Sequence, residues 1–230
     1  MTVLVEFVGL PGVGKSTLSA EAGEVLSHKH PTIAEPNRRI DDRVGIYRLL
    51  TKARFAAEHS LRRPRAALSA AQNLLKTNQP TLTDNVRVGF NLQYVGGVMA
   101  QNRSVSGVSL LDQGPYQAVW SVGLRSSSEW STVIDRFDRY FSQNSPDLVV
   151  FVEAEHETIT ERLRSRDDGD TRFAPGSPRF DRGVEGYEYI KKQLQSNDDS
   201  PRSIVVENET RADLAAGAER IAEVVSSISD

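Results

Sequence analysis

The sequence predicts an α/β fold: a parallel sheet of about five strands, held as a three-layer sandwich between helices, with a helical insertion and a helical lid. Three observations predict it. A short apolar run near the amino terminus ends in a glycine-rich turn and passes directly into a helical pattern; further short apolar runs recur along the chain; and helical periodicity fills the intervals between them. Alternation of this kind covers a parallel sheet on both faces and leaves ligands to the carboxyl ends of its strands.

Taken in order, TVLVEFV at residues 2–8 is the first strand, a β-rich run buried on both faces. After the glycine turn, Leu18, Ala22, Val25 and Leu26 recur at helical spacing over 15–28, and Pro31 stops the helix. Shorter strands are read at 32–34, 108–111, 148–152 and 203–206. Residues 41–101 form a long crossover. Val44, Tyr47, Leu50, Arg54 and Leu61 fall near a 3.6-residue period there, and Pro64 and Pro80 divide it into separate helices.

At 230 residues the chain can bury one sizeable core. It is read as one domain over 1–230, with the crossover 41–101 as a cap over an acceptor site and residues 164–180 as the lid. With 38% hydrophobic and 26% charged residues, the composition is that of a water-soluble globular protein. No apolar run approaches the roughly 18–20 residues that span a bilayer, and the apolar start runs straight into the glycine turn, so neither anchor nor signal peptide is expected. The absence of cysteine excludes disulfides and thiolate metal sites and fits a cytoplasmic protein. His28, His30, His59 and His156 lack metal-ligand spacing.

Charge is uneven. Residues 38–76 carry ten Lys or Arg against three acids, a local charge of +7 in a chain whose net charge is −3. Such a segment either gathers an anionic partner or is the solvated face of helices. No aromatic-and-glycine RNA-binding signature, zinc pattern or helix-turn-helix accompanies it, so a nucleic-acid partner is not expected.

Residues 9–17, GLPGVGKST, meet the pattern G-x-x-x-x-G-K-[ST] between a predicted strand and a predicted helix. This is the phosphate-binding loop of a P-loop NTPase-type fold. Gly9, Pro11, Gly12, Val13, Gly14, Lys15, Ser16 and Thr17 are the candidate ATP-binding residues, because glycines let backbone N–H groups turn inward and the helix adds its positive end. Lys15 would contact the β- and γ-phosphates. The Ser16 hydroxyl and Asp112, directly after the strand 108–111, are the candidate Mg²⁺ ligands.

Arginines cluster next to a Gly/Pro-containing stretch in Glu161, Arg162, Leu163, Arg164, Ser165 and Arg166, followed by Arg172. Phosphoryl transfer needs positive charge over the migrating group and exclusion of water, which an arginine-bearing lid supplies. Glu35 follows the second strand, where Pro36 forces the chain out of regular structure, and is a candidate general base or acceptor ligand. Arg38, Arg87, Gln113, Tyr116, Gln117 and Trp120 complete the candidate acceptor pocket.

In this order, the loop, the later aspartate and the arginine lid resemble thymidylate kinase and its nucleoside-monophosphate-kinase relatives. The likeness is carried by GLPGVGKST, by Glu35-Pro36, by LLDQGPYQA at 110–118, by ERLRSRDDGDTRF at 161–173, and by Phe180 and Gly186-Tyr187. Two positions depart from the family pattern. Gln113 stands where the family has an arginine that grips the acceptor phosphate, and Ala174 where it has an acidic residue. The resemblance implies an ATP- and Mg²⁺-dependent phosphotransferase, suggests a homodimer, and gives Lys15, Asp112, Arg162, Arg166 and Arg172 catalytic roles. The expected reaction passes a γ-phosphoryl group to a small acceptor, a nucleoside monophosphate or related anionic metabolite. A hydroxyl acceptor on a nucleoside, sugar or antibiotic is the alternative, favoured by the missing arginine. An NTP-hydrolysing switch using the basic segment is the reading from another class.

Overall fold

The computed structural model describes residues 2–28, 30, 40, 45–165, 173–197 and 199–229, together with the backbone of 33–34. The sheet runs in the order β2-β3-β1-β4-β5, every neighbouring pair parallel. Four substantial strands make up its body: β1 (Thr2–Val8), β3 (Gly107–Leu111), β4 (Leu148–Glu153) and β5 (Arg202–Glu207). At the edge, β2 contributes only Ile33–Ala34. The strands expected at 108–111, 148–152 and 203–206 fall within one residue of β3, β4 and β5.

Two helix layers cover the sheet. α1 (Lys15–Ser27) packs with α9 (Arg211–Ser229) and both touch β1. α4 (Leu82–Asn102) packs with α5 (Pro115–Arg125), and both again touch β1. The crossover is helical as its periodicity predicts, with α2 (Gly45–Arg62) and α3 (Pro64–Leu75) preceding α4. Pro64 occupies the first turn of α3, where its missing N–H costs nothing, and the Thr81 hydroxyl caps α4 by accepting from the Asp84 N–H at 3.0 Å. α6 (Trp130–Gln143), α7 (His156–Arg164) and α8 (Pro178–Ser196) complete the described helices.

After Thr2, central strand β1 is apolar except for one residue. Glu6 is fully buried, and its carboxylate accepts the backbone N–H groups of Gln117 at 2.8 Å and Tyr116 at 3.2 Å in the first turn of α5. Those amides lack intrahelical partners, so the strand caps the helix across the layer boundary. Gly114, the cap residue, has no room for a side chain: an added Cβ would lie 2.4 Å from the Glu6 carboxyl carbon. Burial pushes the Glu6 carboxyl up to about 8, while the N–H groups of Gln117, Tyr116 and Gly114 pull it back down.

Trp130 ties α5, α6 and α8 together. Its fully buried ring lies where a Cβ on Gly123 of α5 would come within 2.0 Å and one on Gly186 of α8 within 2.1 Å. Arg182 lies over the ring at 5.1 Å and donates to the carbonyls of Gly123 and Ser128.

The Glu6 environment sets a sign for pH dependence. Between its ordinary value of 4.5 and about 8, the folded state keeps a proton that the unfolded chain releases, so this group's contribution to stability declines as pH rises through that window. Thermal melts of the protein and of Glu6→Gln between pH 5 and 8.5 are expected to diverge in slope, with the variant less sensitive; parallel profiles would refute the assignment.

Candidate nucleotide site

The glycine loop leaves β1 at the centre of the sheet and enters α1 at Lys15. Gly12 and Gly14 adopt φ values of +88° and +93°, a left-handed geometry that glycine takes without steric cost. The Val13 N–H donates to the Leu10 carbonyl at 3.3 Å, closing the turn, and the cap residue of α1, Gly14, makes no side-chain cap bond among the described residues. Glycine at left-handed φ followed by a helix start is the backbone arrangement that cradles an anion. The Lys15 ammonium lies back over the loop, donating to the carbonyls of Gly9 at 2.8 Å and Leu10 at 3.0 Å. Ser16 and Thr17 are exposed at the start of α1.

Asp112, half-buried, follows the last residue of β3, whose Leu111 is in register with Glu6 of β1. The segment 112–114 then leads into α5, whose start Glu6 holds. Gln117, in the first turn of α5, accepts the Gly9 N–H through Oε1 at 3.2 Å, so α5 touches the phosphate loop at its first residue. Tyr116 is nearly buried and stacks on Phe141 at 4.5 Å between centroids, with burial and then the Glu6 charge raising its hydroxyl pKa. These two side chains are therefore engaged in packing and loop support. Gln113 is exposed, and Arg87 lies exposed on α4, near an Asp84 that pairs with Arg125 at 2.5 Å.

Arg162, on α7, donates to the Val13 carbonyl at 3.2 Å and to the Glu209 carbonyl at 3.1 Å. It joins the phosphate loop to the turn after β5. Within the stretch expected as the lid, Phe173 packs against Trp120 of α5 and Phe180 of α8, with centroids at 5.8 and 5.2 Å, and the Trp120 indole N–H donates to the Gly183 carbonyl. Glu35, Arg38, Arg166 and Arg172 lie outside the described residues.

Two contributors escaped the sequence reading, and a third was read in another role. Glu6 had one visible signal, a lone carboxylate inside an apolar strand. Asn208, immediately after β5, sits at a strand end where ligand-site residues gather, and its side chain donates to the Val13 carbonyl at 2.8 Å. Gln117 was singled out, but its bond to Gly9 spans 108 residues and leaves no local pattern.

These elements define a P-loop α/β fold: a parallel 2-3-1-4-5 sheet with its glycine loop on the central strand. No protein-family model matches the sequence, and no curated protein matches it in sequence. Solved structures do share the fold. A deoxyadenosine kinase from M. mycoides, with the products dCMP and a flexible dCDP bound, is 15% identical at a TM-score of 0.59, covering 98% of this chain and 100% of its own. Thymidylate kinase from Ehrlichia chaffeensis is 13% identical at a TM-score of 0.55, covering 97% of this chain and 98% of its own. Thymidylate kinase from Candida albicans is 16% identical at a TM-score of 0.55, covering 98% and 92%.

Gly14 gives a direct test of the loop. Alanine there combines an unfavourable φ with a Cβ only 2.2 Å from the Asn208 amide nitrogen. MgATP is expected to raise the melting temperature of the protein and to leave that of Gly14→Ala unchanged.

Proposed function

We propose that this protein is an ATP-dependent kinase that transfers the γ-phosphoryl group to a nucleoside or nucleotide. The observation that carries the reading is the intact phosphate loop, with Gly12 and Gly14 at left-handed φ, on the central strand of a 2-3-1-4-5 sheet. Whole-chain likeness in fold to nucleoside and thymidylate kinases supports that acceptor class.

In this reading the loop amides bind the donor phosphates, and Lys15 leaves the carbonyls of Gly9 and Leu10 to contact the β- and γ-phosphates. The Ser16 hydroxyl, exposed at the mouth of the loop, and the half-buried carboxylate of Asp112 are hard oxygen donors that fit magnesium. When bound, that ion neutralises charge on the β- and γ-phosphates. Arg166 and Arg172 would supply positive charge from the lid, and Arg162 from its place against the loop. Asp112 and Gln113 leave β3 on the side of β1 covered by α4 and α5, which supports placing the acceptor there, with Arg87 and the crossover helices.

Gln113 bears on which acceptor oxygen attacks. A phosphate oxygen is an anionic nucleophile already, whereas a hydroxyl transfers its proton to a carboxylate as the new P–O bond forms and the bond to the ADP leaving group breaks. Without an arginine after Asp112 to hold an acceptor phosphate, a sugar hydroxyl is the favoured variant, with Asp112 or Glu35 as base.

Incubation with labelled ATP, Mg²⁺ and a panel of nucleosides, nucleoside monophosphates and phosphosugars separates these cases. Label is expected in one nucleoside or nucleotide class and absent with Lys15→Ala. Release of free phosphate alone, equal across the panel, would overturn the kinase reading in favour of a nucleotide-hydrolysing switch.

A further inference from the structure

We propose that Asn208 is a positioning residue of the phosphate site, which holds the Val13 carbonyl and so aims the Gly14 N–H at the donor phosphates. The inference rests on the loop binding a nucleotide, and reaches beyond it to a residue 195 positions away in the chain.

The geometry is specific. Asn208 is 4% exposed, and its own N–H donates to the Glu153 carbonyl at 2.8 Å, continuing the β4–β5 pairing past the strand end. Its backbone is thereby fixed by the sheet. The side-chain Nδ2 donates to the Val13 carbonyl at 2.8 Å, and the same oxygen accepts Arg162 Nη1 at 3.2 Å. Two donors on one carbonyl leave that peptide plane little freedom to rotate. In a trans peptide the carbonyl and the next N–H point in opposite directions, and the described chain has no cis bond. Pinning the Val13 carbonyl toward Asn208 therefore turns the Gly14 N–H away from Asn208, into the loop. A flipped Asn208 amide would set oxygen against oxygen, so only one orientation makes the bond.

The arrangement also explains why residue 14 must lack a side chain beyond the demand of its φ. A Cβ there would fall 2.2 Å from Nδ2 and displace the amide that orients the peptide. Arg162 acts in parallel: its second nitrogen holds the Glu209 carbonyl, next to Asn208, so α7 and the β5 turn grip the loop at one oxygen.

The test compares wild type, Asn208→Ala and Asn208→Asp for MgATP affinity by calorimetry and for melting temperature without nucleotide. The Gly14 amide proton in ¹⁵N-labelled wild type is followed during the same titration. Both variants are expected to stay folded and to bind MgATP about tenfold or more weakly, as loss of one buried hydrogen bond implies. The KM of the phosphate acceptor should not move, which a general loss of structure would not spare. The Gly14 amide resonance should shift strongly in wild type. Wild-type affinity in both variants, or a Gly14 amide indifferent to MgATP in wild type that binds it, would overturn the proposal even if the variants failed to fold. Failure of wild type itself to bind MgATP would remove the nucleotide reading on which the proposal stands.

Discussion

A carboxyl group buried at the centre of the sheet organises the site. Glu6 lies on the strand that launches the phosphate loop, and the amides it accepts begin the helix that follows Asp112. One side chain thus connects the two strand ends from which donor and metal chemistry would be built. A buried amide left without its acceptor costs about 1–3 kcal/mol. Losing Glu6 would release two of them at the start of α5, together with the position of residues 112–114. Gly114 belongs to the same device, because the carboxyl group occupies the volume that any side chain there would need.

Around the loop, side chains satisfy the backbone carbonyls. Gly9 and Leu10 carbonyls accept Lys15, and the Val13 carbonyl accepts Asn208 and Arg162. The Gly9 N–H, by contrast, is taken by a side chain, that of Gln117 from α5. Since backbone polar groups need partners, carbonyls held by side chains do not compete for the loop's N–H groups, which the proposed reading assigns to the donor phosphates. The partners come from α5, α7 and the turn after β5, so the loop is held from separate parts of the fold.

The β1–loop–α1 unit was legible in the sequence because its signals are local: an apolar run, glycines at the turn, and helical periodicity straight after. The other main strands were legible for the same reason, and the crossover's division at Pro64 follows from the ring's restriction on the backbone. What could not be read were contacts between residues far apart in the chain. Glu6 reaches Gln117 across 111 positions and Asn208 reaches Val13 across 195. No periodicity encodes such pairs. Tyr116 shows the limit from the other side: its place after an Asp-containing strand end suggested an acceptor contact, while its ring stacks on Phe141 inside the core. Arg162 was legible as a lid-side arginine, but not as a clamp on the Val13 carbonyl.

The wedge of Trp130 between Gly123 and Gly186 carries a consequence for how this chain can change over time. The indole fills both places where a neighbouring helix would otherwise carry a methyl group, so a change at any one of the three residues bears on the other two. Enlarging either glycine demands a smaller ring, and a smaller ring leaves a void that only larger residues on both helices refill. Each single step is penalised while the combined exchange is not. The trio is therefore an evolutionary lock, and divergent descendants of this chain should keep all three residues or replace them together.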